Sequence, residues 1–269
     1  MIQVLSDLGT DSLALLIYPG LLAMVVSGAL LEAVWNRLIR GGATLGDLVR
    51  RRPTPVIVTV ALCATLAATQ LAAPFNPTPT AERSVVIAAV ALAFTPWAEF
   101  ALTGDAAAQP SLLLIIQACW LLSVLGPAIQ PQSLPPQVLG NLTVPALLPL
   151  KVASGFLYLL CLPAVLRLWP RTSPVDRRVT PRPDVARALC WLSYCGLFTT
   201  LFFPPGANDG AGLIRFLGIT FLVALLSMVG GLVLSWRGDA LARGLFARAV
   251  PAYAGAVLVL LIGTSLLLR

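Results

Sequence analysis

Three ionisable side chains of this 269-residue chain stand out in or near long apolar runs, where a charge is expensive and is read first as functional. Glu32 sits in LLEAVWNRLIRGG (30–42), with Arg37 about a turn and a half further on. Glu99 sits in TPWAEFALTGD, preceded by Trp97 and followed by Asp105. Lys151, the single lysine, sits in ALLPLKVASGFLYLL (146–160). Desolvation disfavours the charged form of such groups, so the chemistry on offer is proton exchange or attraction of an opposite charge. Each residue also has a plain structural reading. Glu32 is then a helix-end carboxylate that pairs with an arginine or reaches water, Glu99 an interfacial acid beside a belt tryptophan, and Lys151 a cation that snorkels outward.

Other reactive constellations are missing. The chain has no His, and its five cysteines (Cys63, Cys119, Cys161, Cys190, Cys195) form no CxxC pair, so haem ligation through His, His-based zinc and four-Cys clusters are not expected. The cysteines read as small packing residues within spans. GxSxG, a phosphate-cradling loop and an Asp pair spaced for magnesium and diphosphate are absent too. No catalytic residue and no metal ligand is therefore assigned.

The elements that must position these side chains follow from composition. Hydrophobic residues make up 58% of the chain and charged residues 11%, against roughly a quarter charged in soluble domains. That implies an all-α, polytopic membrane bundle forming a single integral membrane domain over 1–269. Apolar runs of about 20 residues predict eight transmembrane helices, near 12–35, 54–74, 84–103, 111–130, 143–166, 185–204, 212–235 and 249–268. Prolines and acids in FTPWAEFALTGDAAAQP (94–110) weaken the third and fourth spans and leave a re-entrant pair as the alternative there.

Arginine placement supplies an independent test. All but one of the 18 basic residues are Arg. Arg37, Arg40, Arg50, Arg51 and Arg52 follow span 1; Arg167, Arg171, Arg177, Arg178, Arg182 and Arg187 follow span 5; Arg237, Arg243 and Arg248 follow span 7. The even-numbered loops hold only Arg83 and, at the edge of span 7, Arg215. The positive-inside rule then places the arginine loops in the cytoplasm and both termini outside; the expected location is a bacterial plasma (inner) membrane. The net charge of +7 is thus a matter of topology, and without aromatic stacking platforms it does not point to nucleic acid. The acidic start, MIQVLSDLGTD, lacks the basic region of a cleaved signal, so the first span is expected to be retained.

The outer connections PFNPTPTAER (74–83), PAIQPQSLPPQ (127–137) and PPGANDG (204–210) read as rigid turns. Prolines in or beside spans (Pro19, Pro96, Pro145, Pro149, Pro163) predict kinked helices whose freed backbone groups are re-satisfied by neighbours. Small-residue stretches such as GITFLVALLSMVGG (218–231) allow close helix approach. No duplication relates the two halves, which disfavours an inverted-repeat carrier.

Eight spans with both termini outside, a basic loop after span 1 and a longer one after span 5 resemble the membrane subunit that anchors the hydrophilic arm of complex I (subunit 1 of the mitochondrial enzyme) and its counterpart in energy-converting hydrogenases. The likeness in topology covers the whole chain, while the motifs cover about a quarter of it. LLEAVWNRLIRGG resembles the family's acid-and-arginine exit from the first span, through Glu32, Arg37, Arg40 and Gly41. Near the C-terminus, Arg248 and Pro251 stand where the family has an Arg-Val-Pro step into its last helix. The glutamate cluster of that family has no counterpart in RLWPRTSPVDRRVTPRPD (167–184), and the stretch after span 1 is reduced to GGATLGDLVRRRP (41–53).

What the resemblance implies is a non-catalytic anchor within an NADH dehydrogenase-like oxidoreductase complex serving electron transport and proton translocation. Arg37, Arg40, Arg177 and Arg178 would dock a cytoplasmic redox arm. Glu32, Glu99 and Lys151 would line a residual proton or quinone path. The chain itself would carry no cofactor; quinone would lie at an interface, and iron-sulfur clusters would sit in partner subunits beside other membrane subunits. Two other readings stand beside it. One is a stand-alone transporter or channel for small or lipophilic solutes with Lys151 and Glu99 at its midplane; the other is a scaffold for a membrane assembly.

Overall fold

A computed structural model of the chain describes residues 14–40, 54–103, 110–129, 147–168 and 184–267, together with Ser12 and Pro136. In an apolar medium each segment must satisfy its own backbone, so uninterrupted apolar runs fold as helices. In chain order these are α1 (Leu21–Arg40), α2 (Pro55–Thr69), α3 (Val85–Thr103), α4 (Pro110–Ile129), α5 (Leu148–Val165), α6 (Val185–Phe202), α7 (Gly210–Arg237), α8 (Asp239–Gly244) and α9 (Val250–Leu267). A π-helical turn, Leu245–Ala249, joins α8 to α9. No strand occurs among the described residues. Among the described residues six stretches are long and apolar enough to cross a membrane, and two shorter apolar helices, Pro55–Thr69 and Val85–Ala98, pack beside them. Large apolar side chains face outward along them, including Val26, Leu62, Phe94, Leu114, Val152, Ile214 and Val259. A core and a surface that are both apolar are the mark of an integral membrane protein.

α6 is the hub. Every residue from Ala186 to Leu201 is buried, and the helix packs against α1, α2, α3, α5 and α7. The α4–α5 pair, closed by α9, forms the other flank. Trp120, Tyr158, Tyr194, Phe198 and Phe202 interlock between the two groups, with ring centroids of Trp120 and Tyr194 5.3 Å apart and of Tyr158 and Phe198 5.4 Å apart. Tyr158 Oη donates to the Tyr194 carbonyl at 2.7 Å, so the ring cluster is fixed in orientation as well as packed.

Pro96 shows how a kinked span is repaired. Its missing N–H would leave the Leu92 carbonyl without a helical donor, and that oxygen instead accepts from Tyr194 Oη at 2.8 Å and from Thr95 Oγ1 at 2.8 Å. Gln117 of α4 then donates to the Ala93 carbonyl at 2.8 Å and accepts from Trp97 Nε1. α3 therefore runs as one helix through Pro96 to Thr103, while 104–109 lies outside the described residues.

Two boundaries differ from the sequence reading. α2 stops at Thr69, because Asn76 Nδ2 takes both the Thr69 and Leu71 carbonyls (2.9 and 2.8 Å) and folds the chain back. At the other end of the chain, Arg243 and Arg248 are helical and do not lie in a loop. Gly238, at φ +89, turns the backbone in a single residue, and helix resumes at Asp239.

The α1–α6 crossing is set by Gly28, where any Cβ would collide with the Ala188 carbonyl. We expect Gly28→Leu to lower the thermal unfolding midpoint of the chain in maltoside micelles, with a cost of about 1–3 kcal/mol. An unchanged midpoint would mean that the two helices do not meet there.

Candidate functional site

One turn beyond Gly28 on the same face of α1 stands Glu32, and one residue before Ala188 on α6 stands Arg187. The close crossing brings them together. Glu32 is fully buried and Arg187 8% exposed, a depth at which a charge needs a partner. Arg187 grips the carboxylate with two parallel donors, Nη2 to Oε1 at 2.5 Å and Nε to Oε2 at 2.9 Å. Asn36 Nδ2 (3.2 Å) and the Asp184 amide (3.1 Å) also donate to Oε1, and Trp191 Nε1 donates to Oε2 at 3.4 Å. Helix periodicity supplies both local partners, Asn36 four residues after Glu32 and Trp191 four after Arg187.

The node extends to the ends of two helices. α5 terminates with the Leu168 amide on the Pro163 carbonyl (2.8 Å) and the Arg167 amide on the Ala164 carbonyl (3.0 Å). That pattern needs a left-handed residue, and Arg167 takes the position at φ +54. A non-glycine residue held there is strained and persists when its surroundings over-determine it. Here they do: the Arg167 carbonyl accepts from Arg187 Nη1 at 3.2 Å, and its Nη2 lies 3.4 Å from Asp184 Oδ2. Asp184 in turn caps α6, its Oδ1 accepting from the Arg187 amide at 3.1 Å. Burial alone would raise the Asp184 carboxyl. Arg167 foremost, then Arg187 and the backbone amides of Arg187 and Ala186, outweigh it and hold the group at about 2.

A cavity of about 10 Å³ lies behind the node, lined by Arg167, Arg187, Cys190, Thr95, Pro96 and Tyr194. That is room for about one water molecule. The far wall of the cavity carries the Thr95–Tyr194 pair, whose oxygens are 3.1 Å apart.

Of the residues named from sequence, Glu32 lies at the centre of the site. Its partner is Arg187, which the sequence reading groups with the loop arginines although it falls just inside the predicted 185–204 span; it sits in the first turn of α6 and is buried there. Arg37 is exposed on α1. Arg40 and Glu99 lie within α1 and α3, but their side chains fall outside the described residues, as do Arg177 and Arg178 entirely. Lys151, half-buried in the first turn of α5, stands about 24 Å along that helix from Arg167 and does not join the node. Sequence reasoning missed Asn36, Asp184, Arg187 and Gln117. The one signal that points to Arg187 is its place inside the predicted 185–204 span.

No metal-binding group of three or more Cys, Asp or Glu occurs among the described residues. Compared with protein-family models and with curated proteins, the chain matches none.

The Asp184 carboxylate is stabilised in the fold, so its contribution is complete above the unfolded value of about 4 and is lost as pH falls through about 2. Asp184→Asn keeps a helix cap and removes the charge. The stability gap between wild type and this variant in micelles should be largest near neutral pH and shrink steadily as pH is lowered from about 5 to about 2. A gap that does not change with pH would show that the carboxylate's charge is not what holds Arg167.

Proposed function

We propose that the chain is the membrane-anchor subunit of a complex I-related respiratory or hydrogenase-type redox complex, an eight-span protein of the bacterial inner membrane with both termini outside. The observation that carries this reading is the way the Glu32–Arg187 node closes the bundle end. Arg167 and Asp184, the residues flanking 168–183, are held to each other and to the node, and α1 leads from the same place into 41–53. Those two segments contain Arg50, Arg51, Arg52, Arg171, Arg177, Arg178 and Arg182. A closed bundle end from which two arginine-rich segments depart suits the docking of an electronegative peripheral arm, with Arg37, Arg40, Arg177 and Arg178 as contacts.

Glu32 belongs to the base. Its two oxygens are already met by five donors, which suits a clamp between α1 and the start of α6. Any proton or quinone path uses Glu99 and Lys151, with quinone at an interface and iron-sulfur clusters in partner subunits. The lipid bilayer and other membrane subunits cover the apolar flanks.

Affinity purification from mildly solubilised native membranes tests the assignment. The expected result is co-purification of iron-sulfur proteins and larger membrane subunits, with recovery of the peripheral proteins reduced about tenfold or more by the Arg177→Glu/Arg178→Glu variant. Recovery of the chain alone, together with solute uptake by the reconstituted chain, would replace this reading with that of a stand-alone transporter.

A further inference from the structure

At the opposite end of the bundle the chain between α2 and α3 folds into the helices. Leu71, Ala72 and Ala73 are buried, and the Ala72 amide donates to Thr200 Oγ1 of α6 at 3.2 Å. The turn from α6 to α7 meets this segment, with the Phe75 amide donating to Asn208 Oδ1 at 2.5 Å. Between the two lies a cavity of about 260 Å³, lined by Asn76, Thr80, Arg83, Gly206 and Asn208 among others.

Arg83 is the unusual member. It is only 5% exposed, and its Nε and Nη2 donate to the Thr78 carbonyl at 3.0 and 2.7 Å, with Nη2 also reaching the Asn76 carbonyl at 3.1 Å. All these acceptors are neutral. Nη1 is buried with no hydrogen-bond partner, and no carboxylate pairs with Arg83 among the described residues. A buried guanidinium keeps its charge and normally has an anionic partner.

A second cation stands close by. Arg215 on the first turns of α7 is exposed and lies just outside the lining, its Nη1 3.8 Å from where a side chain on the lining residue Gly206 would begin. The nearby acid Asp209 is committed to capping α7, its Oδ1 accepting from the Gly212 amide at 2.7 Å, and Glu82 is exposed.

We infer that this cavity is a binding site for a phosphate-class oxyanion, held by Arg83 from within and Arg215 at the rim, with Asn208 and Thr80 as neutral walls. The volume admits a phosphate with a small organic substituent, and its place at one end of an apolar bundle gives two sources of that chemistry, a free phosphate or the headgroup phosphate of an anionic lipid. Planar guanidinium groups are the side chains best matched to such an anion.

The test uses the full chain in maltoside micelles, which contain no phosphate. Inorganic phosphate is titrated against sodium chloride at matched ionic strength with the unfolding midpoint as readout, and phosphatidylglycerol is added in parallel with retained lipid counted by native mass spectrometry. The same measurements are made on Arg83→Lys, which keeps a cation but loses the planar donor set; on Arg215→Gln; and on Gly206→Leu, which fills the cavity mouth at a position open to a side chain.

A saturable rise with phosphate, weakened about tenfold by Arg215→Gln or Gly206→Leu, identifies a free oxyanion. Retention of phosphatidylglycerol alone, lost in the same variants, identifies a lipid headgroup. Absence of both effects, or effects of equal size in wild type, Arg215→Gln and Gly206→Leu, overturns the proposal. Those two variants keep it falsifiable should Arg83→Lys fail to fold, since Arg83 also holds the turn at Thr78.

Discussion

Burying a carboxylate and a guanidinium in an apolar helical bundle is the constraint around which one end of this molecule is arranged. Neither charge is tolerable alone at that depth, and their attraction offsets desolvation only when the remaining lone pairs and protons are also bonded. Glu32 meets the condition through Arg187, Asn36, Trp191 and the Asp184 amide. That set can be assembled only if α1 and α6 touch backbone to backbone, which a glycine at 28 allows. Asn36 Oδ1 remains without a partner in the same place, so the node is not optimised for stability alone. Such a residue set trades some stability for a defined geometry.

The geometry it defines is that of the chain entering and leaving the bundle. A left-handed Arg167 at the end of α5 and an Asp184 cap at the start of α6 are costly or specific devices on their own. Joined through Arg187 they fix where 168–183 departs and returns. Rigidity at the base of a connection matters most when the connection itself makes contacts, because each ordered contact then loses less entropy on binding. This is the physical link between the buried pair and the docking role proposed for the arginine-rich segments.

Much of the fold is legible in the sequence because apolar runs and their proline or glycine boundaries are local signals. The predicted span at 185–204 and the helix Val185–Phe202 agree closely, as do 212–235 and Gly210–Arg237. Differences arise where a distant or special residue decides the end: Asn76 stops α2 early, and Gly238 lets helix resume where a basic loop is expected. Half of the candidate site is legible for the same reason. Glu32 announces itself as an acid in an apolar run, but its partner is 155 residues away, and nothing in the spacing of either residue encodes the pairing. The repair of Pro96 by Tyr194 is likewise expected in kind, while the residue that performs it is set by packing across 102 positions. Arg83 reads as a lone loop arginine until its burial is seen.

The interaction energy between Glu32 and Arg187 tests this account most directly. It is obtained from a double-mutant cycle of wild type, Glu32→Gln, Arg187→Met and the double variant, with unfolding free energies measured in micelles. Each single change should cost about 3 kcal/mol or more, because it strands a buried charge, and the double change should cost clearly less than their sum. Additive costs, with no coupling between the two positions, would contradict the account.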